Sequence, residues 1–92
     1  MAIKNILIVD DSATDTHLLS EMLKKNGFTV ATASSGEEGI AKTKKDRPDL
    51  VLMDIVMPGM SGFEATRALS KDPETASIPV IVCSTKGQET DK

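Results

Sequence analysis

The chain lacks tryptophan and tyrosine, and its aromatic content ends with Phe28 and Phe63. That removes the stacking platforms on which single-stranded nucleic acids are held. The core must instead come from Ile, Leu, Val, Met and Ala. Cys83 is the only cysteine, so an internal disulfide is excluded and a reducing cytoplasm is the natural expectation. With His17 the only histidine, a His–Cys zinc cluster has too few ligands, and neither a Ser-His-Asp nor a Cys-His arrangement can be made convincingly. No apolar run approaches the ~20 residues that span a bilayer, and Met1-Ala2-Ile3-Lys4-Asn5 shows no signal-peptide pattern. The formal net charge of −3 supplies no basic stripe, so no nucleic-acid partner is expected. A length of 92 residues means one small domain.

What is present alternates. Short apolar runs at Asn5 to Asp10, Phe28 to Ala33, Leu50 to Asp54 and Pro79 to Cys83 are separated by longer amphipathic segments. This is the pattern of βαβ units and a parallel sheet. The first, third and fourth runs are continuously apolar, as for strands covered on both faces, while Phe28-Thr29-Val30-Ala31-Thr32 alternates and reads as an edge strand. The first helix is predicted over Ala13 to Asn26, with Leu18, Leu19, Met22 and Leu23 as its apolar stripe and Gly27 as its stop. A second, near Glu37 to Asp46, has Ile40 and Ala41 as its main apolar residues and ends at Pro48. A third, Phe63 to Ser70, offers Phe63, Ala65, Ala68 and Leu69. Each opens with a serine three residues before an acid (Ser12/Asp15, Ser35/Glu38, Ser61/Glu64), the pattern of a capping box or a close variant.

The chemistry lies at the strand ends. Ile6-Leu7-Ile8-Val9 finishes in Asp10-Asp11, and Leu50-Val51-Leu52-Met53 finishes in Asp54, just before Ile55-Val56-Met57-Pro58-Gly59. Open α/β sheets keep their ligand sites at the carboxyl ends of strands. If the first and third strands are neighbours, these carboxylates meet, repel one another, and call for a cation. Hard oxygen ligands with room for water suit Mg²⁺ better than zinc. The fourth strand adds Ser84 and Thr85 at the same edge. A carboxylate beside a metal, with hydroxyls across the pocket, can accept a phosphoryl group without a general base.

Blander roles stand beside these. An Asp-Asp pair alone is usually a solvated turn, and Ser84 and Thr85 equally suit a helix cap. Cys83 fits a small buried apolar residue, His17 the exposed side of the first helix, and Met57 and Met60 loop packing. Lys42, Lys44 and Lys45 read as a solvated helix face.

Taken together, Leu7-Ile8-Val9-Asp10-Asp11-Ser12, Leu52-Met53-Asp54-Ile55-Val56-Met57-Pro58-Gly59-Met60-Ser61-Gly62 and Pro79-Val80-Ile81-Val82-Cys83-Ser84 resemble the receiver domain of two-component response regulators. The match runs over essentially the whole chain, and Cys83 to Thr90 looks most like the single-domain receivers of chemotaxis-like twitching-motility systems. The resemblance implies a CheY-like, flavodoxin-like open sheet with strand order 2-1-3-4. It implies Asp54 as phospho-acceptor, Asp11 as direct Mg²⁺ ligand, Asp10 acting through water, the backbone carbonyl of Val56 as a further ligand, and Ser84 as switch hydroxyl. It also implies a sensor histidine kinase as partner, and a signalling switch rather than an enzyme with turnover. An aspartyl-phosphate hydrolase would instead want Asp-x-Asp on the first strand, which Asp10-Asp11-Ser12 lacks.

The family continues with a fourth helix, a fifth strand ending in Lys-Pro, and a fifth helix. This chain stops at Lys92, within the expected fourth helix, leaving the family's phosphate-binding lysine without a counterpart. An exposed fourth strand follows as an expectation, and with it a homo-oligomer formed around Pro79 to Ser84 by strand addition or segment exchange.

Overall fold

The structure, a computed structural model, describes residues 3–54 and 61–83. Four parallel strands, β1 (Asn5–Val9), β2 (Thr29–Ala33), β3 (Leu50–Asp54) and β4 (Val80–Cys83), form one sheet in the order β2-β1-β3-β4. Between them run α1 (Ala13–Lys25), α2 (Gly36–Asp46) and α3 (Gly62–Lys71). This is the open parallel sheet expected from the alternating pattern, with β2 at one edge. The register sets Val9 opposite Met53 and Asp54 opposite Cys83, so the strands end nearly level.

Side-chain alternation divides the sheet into two unequal halves. Leu7, Val9, Ala33, Val51 and Met53 face α2 and α3 and form a closed core with Ala65 and Leu69. On the opposite face α1 packs over β1 and β2, burying Ile6 and Ile8 completely. Among the described residues no helix lies over β3 and β4 on that face, so Leu50 and Leu52 are only half-buried and Ile81 is 50% exposed. Among the described residues, then, β1 is covered on both faces, whereas β3 and β4 are covered on one.

The helix faces also correct the sequence reading. Leu18 and Met22 are 62% and 58% exposed, leaving Leu19 and Leu23 as the half-buried part of the α1 stripe. Phe63 in α3 is 61% exposed, whereas Ala65 and Leu69 are buried. In α2 the buried positions are Gly36, Gly39 and Thr43, while Ala41 faces solvent. Periodicity marks a stripe but cannot say where along it the sheet ends. Gly39 lies so close to β1 that a Cβ there would meet Val9 Cγ2 at 2.7 Å.

Helix ends follow the local signals. Ser61 and Glu64 form a reciprocal capping box, whereas Ser12 and Ser35 accept only the single bond from the N–H of Asp15 and Glu38. Gly27 takes φ +94 directly after the α1 C-cap Asn26, a conformation in which a Cβ is strained. At the C-terminal end of α3, Pro73 has no N–H to offer the Leu69 carbonyl. The hydroxyl of fully buried Thr75 donates to that carbonyl instead, at 2.6 Å.

Candidate metal and phosphoryl site

The acidic pocket is assembled by the register of β1 against β3. Val9 pairs with Met53, so Asp10 leaves β1 beside the point where Asp54 ends β3. One carboxylate oxygen from each of Asp10, Asp11 and Asp54 lies within 4.8 Å of the others. Their environments differ. Asp54 is 3% exposed, Asp10 is half-buried and Asp11 is open to solvent.

Backbone bonds fix the β1 end of this pocket. The Asp10 N–H donates to the Ala33 carbonyl at 3.0 Å, extending the β1–β2 ladder by one residue. Asp10 Oδ1 accepts from the Ser12 N–H at 2.9 Å, and Ser12 in turn caps α1. Asp11 is thus held between a buried strand and a capped helix by its two neighbours. Such a donor set of hard, anionic oxygens open to solvent on the Asp11 side fits a small divalent cation of the Mg²⁺ type. It offers no soft ligand that would favour zinc or copper.

A groove of about 510 Å³ runs from Asp10 and Asp11 between α1 and β2, bordered by Thr16, Ser20, Val30 and Thr32. His17 is exposed, as the sequence suggested. Val56, Ser84, Thr85, Met57, Met60 and the side chain of Cys83 lie outside the described residues. The lysines of α2 correct the expectation of a plain solvated face. Lys45 is exposed, but Lys44 pairs with Asp72 at 3.1 Å and Lys42 is half-buried, pairing with Glu38 at 3.3 Å. Nothing in the one-dimensional pattern separates these three lysines; their partners come from elsewhere in the fold.

Three carboxylates outside the Asp10, Asp11 and Asp54 cluster have depressed pKa values: Glu38, Asp49 and Asp72. Asp49 Oδ2 accepts from the N–H groups of Asn5 and Lys4, both at 2.9 Å, which favours its charged form. Glu38 is lowered by the N–H and hydroxyl of Ser34, with Lys42 adding to the effect. No described helix is long and apolar enough to cross a membrane.

Comparisons with known proteins agree with this architecture. Protein PilH of Pseudomonas aeruginosa is 58% identical over 87 residues, which cover 95% of this chain and 72% of PilH. The chemotaxis protein CheY of Thermotoga maritima is 42% identical over 87 residues, covering 94% of this chain and 71% of CheY. The response regulator PleD of Caulobacter vibrioides is 42% identical, but the chain spans only 17% of it. Among solved structures, CheY4 of Vibrio cholerae matches with a TM-score of 0.82 at 34% identity, over 88% of this chain and 68% of that one. A model of the response regulator receiver domain matches residues 6–92. With that match, and with the sheet in the order β2-β1-β3-β4, the chain belongs to the response regulator receiver domain family.

Proposed function

We propose that this receiver domain is a phospho-accepting switch in a two-component relay, with Asp54 as the acceptor and a sensor histidine kinase as the donor. The observation that carries the reading is the convergence of Asp10, Asp11 and Asp54 within 4.8 Å, with only Asp54 buried. Asp11 would hold Mg²⁺ directly, Asp10 through water, and Asp54 with the Val56 carbonyl would complete the protein ligands. When bound, the cation supplies the positive charge against which an anionic nucleophile and a phosphoryl group can meet. An Asp54 oxygen forms the new bond to phosphorus as the phosphorus–nitrogen bond of the donor histidine breaks. The products are an acyl phosphate on Asp54 and an imidazole that takes up a proton. Ser84, two residues beyond Val82 in β4, is the hydroxyl assigned to the switch.

Intact-mass measurement after incubation with acetyl phosphate and Mg²⁺ tests the assignment. A labile phosphoryl adduct that Asp54→Ala removes is the expected result. An adduct that persists in that variant sinks it.

A second reading, self-association along β4, is favoured by the half-covered sheet face, where Ile81 is 50% exposed and Leu50 and Leu52 are only half-buried. Apolar surface of this kind seeks a partner. Light scattering that finds a folded monomer at high micromolar concentration would refute it.

A further inference from the structure

The edge strand β2 carries no protection of its own. Its sequence, Thr29-Val30-Ala31-Thr32-Ala33, has no charge, proline or glycine, and so lacks the devices by which exposed edges avoid pairing with other chains. Among the described residues β2 pairs only with β1. The Thr29 N–H donates to the Lys4 carbonyl and the Ala33 carbonyl accepts from the Asp10 N–H. Odd-numbered residues therefore direct their backbone groups inward, and Val30, Thr32 and Ser34 direct theirs away from the sheet.

Helix α2 reaches over to those outward groups. Lys42 Nζ donates to the Thr32 carbonyl. Glu38 Oε1 accepts from both the N–H and the hydroxyl of Ser34, each at 3.0 Å. Lys42 and Glu38 also pair with one another. Lys42 borders the large groove on the α1 side and a second cavity of about 280 Å³ on the α2 side. A side chain bordering cavities on both faces of the sheet must cross its edge.

We infer that Lys42, held by Glu38, is a guard that keeps the β2 edge from pairing with the β2 edge of a second copy of this chain. A second copy is the occupant this edge suits best. Two uncharged, β-branched strands related by a two-fold axis pair antiparallel, each offering the N–H and C=O of Val30 to the other. The guard opposes this by occupying the Thr32 carbonyl and by setting two ammonium groups at the new interface. Nothing in this inference depends on Asp54 or on phosphorylation.

The test compares mass distributions by size exclusion with light scattering for the full chain, Lys42→Met, Glu38→Gln, and Lys42→Met combined with Val30→Pro. Methionine keeps the apolar stem and removes the ammonium. Proline removes an outward N–H that β1 does not use, a placement edge strands tolerate. We expect Lys42→Met to move from the wild-type mass to twice that mass as concentration rises, and Val30→Pro to restore the wild-type profile. Glu38→Gln should give the same change at higher concentration, and it keeps the test decisive if Lys42→Met does not fold. A folded Lys42→Met with the wild-type profile overturns the inference, as does Glu38→Gln behaving as wild type where Lys42→Met is unfolded. Association that Val30→Pro fails to reverse overturns it too, because the contact then lies elsewhere.

Discussion

Replacing threonine by valine at positions 16 and 75 should move stability in opposite directions. The two side chains have nearly the same shape, so each substitution mainly deletes a hydroxyl. Thr16 Oγ1 is shut off from solvent and has no hydrogen-bond partner among the described residues. It therefore stays desolvated without compensation, a condition that costs about 1–3 kcal/mol for a typical buried polar group. Thr16→Val relieves that cost, and because both residues are β-branched the helix propensity of α1 barely changes. A gain of about 1 kcal/mol is expected, at the low end of the range because the residue as a whole is only half-buried. Thr75 is the reverse case. Its hydroxyl is the donor for the Leu69 carbonyl at 2.6 Å, Pro73 has no N–H to replace it, and the site is fully buried. Thr75→Val leaves that carbonyl unsatisfied and should cost about 1–3 kcal/mol. For a domain of this size each kcal/mol corresponds to roughly 4–8 °C in Tm. Thermal unfolding followed by circular dichroism, backed by urea titration with an unchanged slope, reads both effects. A fall in Tm for Thr16→Val, or an unchanged Tm for Thr75→Val, would refute the reasoning.

Asp49 anchors the start of β1 through two backbone N–H groups, and its carboxyl is held below its ordinary value. A depressed folded-state pKa contributes stability above the unfolded pKa and loses it as pH falls through the folded one. Asp49→Asn should thus lower the urea midpoint at neutral pH and flatten its fall below about pH 4; an unchanged pH profile would exclude the anchor. Gly27→Ala forces an L side chain into φ +94 and should cost about 1–2 kcal/mol, seen as a lower midpoint in the same titration. Asp11→Asn removes a charged oxygen from the most solvent-open ligand position. Calorimetry should show Mg²⁺ binding weakened by about tenfold or more, while the metal-free Tm stays the same or rises as carboxylate repulsion falls.

The expected fold followed from features that are local in the chain. Apolar runs of strand length, each followed by a capped amphipathic segment, leave a parallel sheet as the economical solution. Asp10, Asp11 and Asp54 stood out because each acid directly follows such a run, and strand ends of a parallel sheet share an edge. The three serine caps were legible for the same reason, since a cap needs only neighbours within one turn. Yet only Ser61 completes the reciprocal box. Glu38 turns instead to Ser34, a choice set by where β2 delivers that residue.

What periodicity could not decide was how far each face extends. Leu18, Met22 and Phe63 carry the same apolar signal as Leu19, Ala65 and Leu69, but burial depends on what lies opposite. Over β3 and β4 on the α1 side no described helix lies opposite. Likewise Lys42, Lys44 and Lys45 are interchangeable in a sequence, and become a guard, an ion pair and an exposed side chain only once β2 and Asp72 are brought beside them.

By itself the sequence determined the order of elements, where the helices start, and which acids end the strands, because these rest on contacts within a few residues. Tertiary structure alone decided that those acids come within 4.8 Å of one another, that the described helices close one sheet face and cover only β1 and β2 on the other, and that an unprotected edge strand receives its charge from a helix. Each of those outcomes joins residues far apart in the chain, and only strand order and register bring them together.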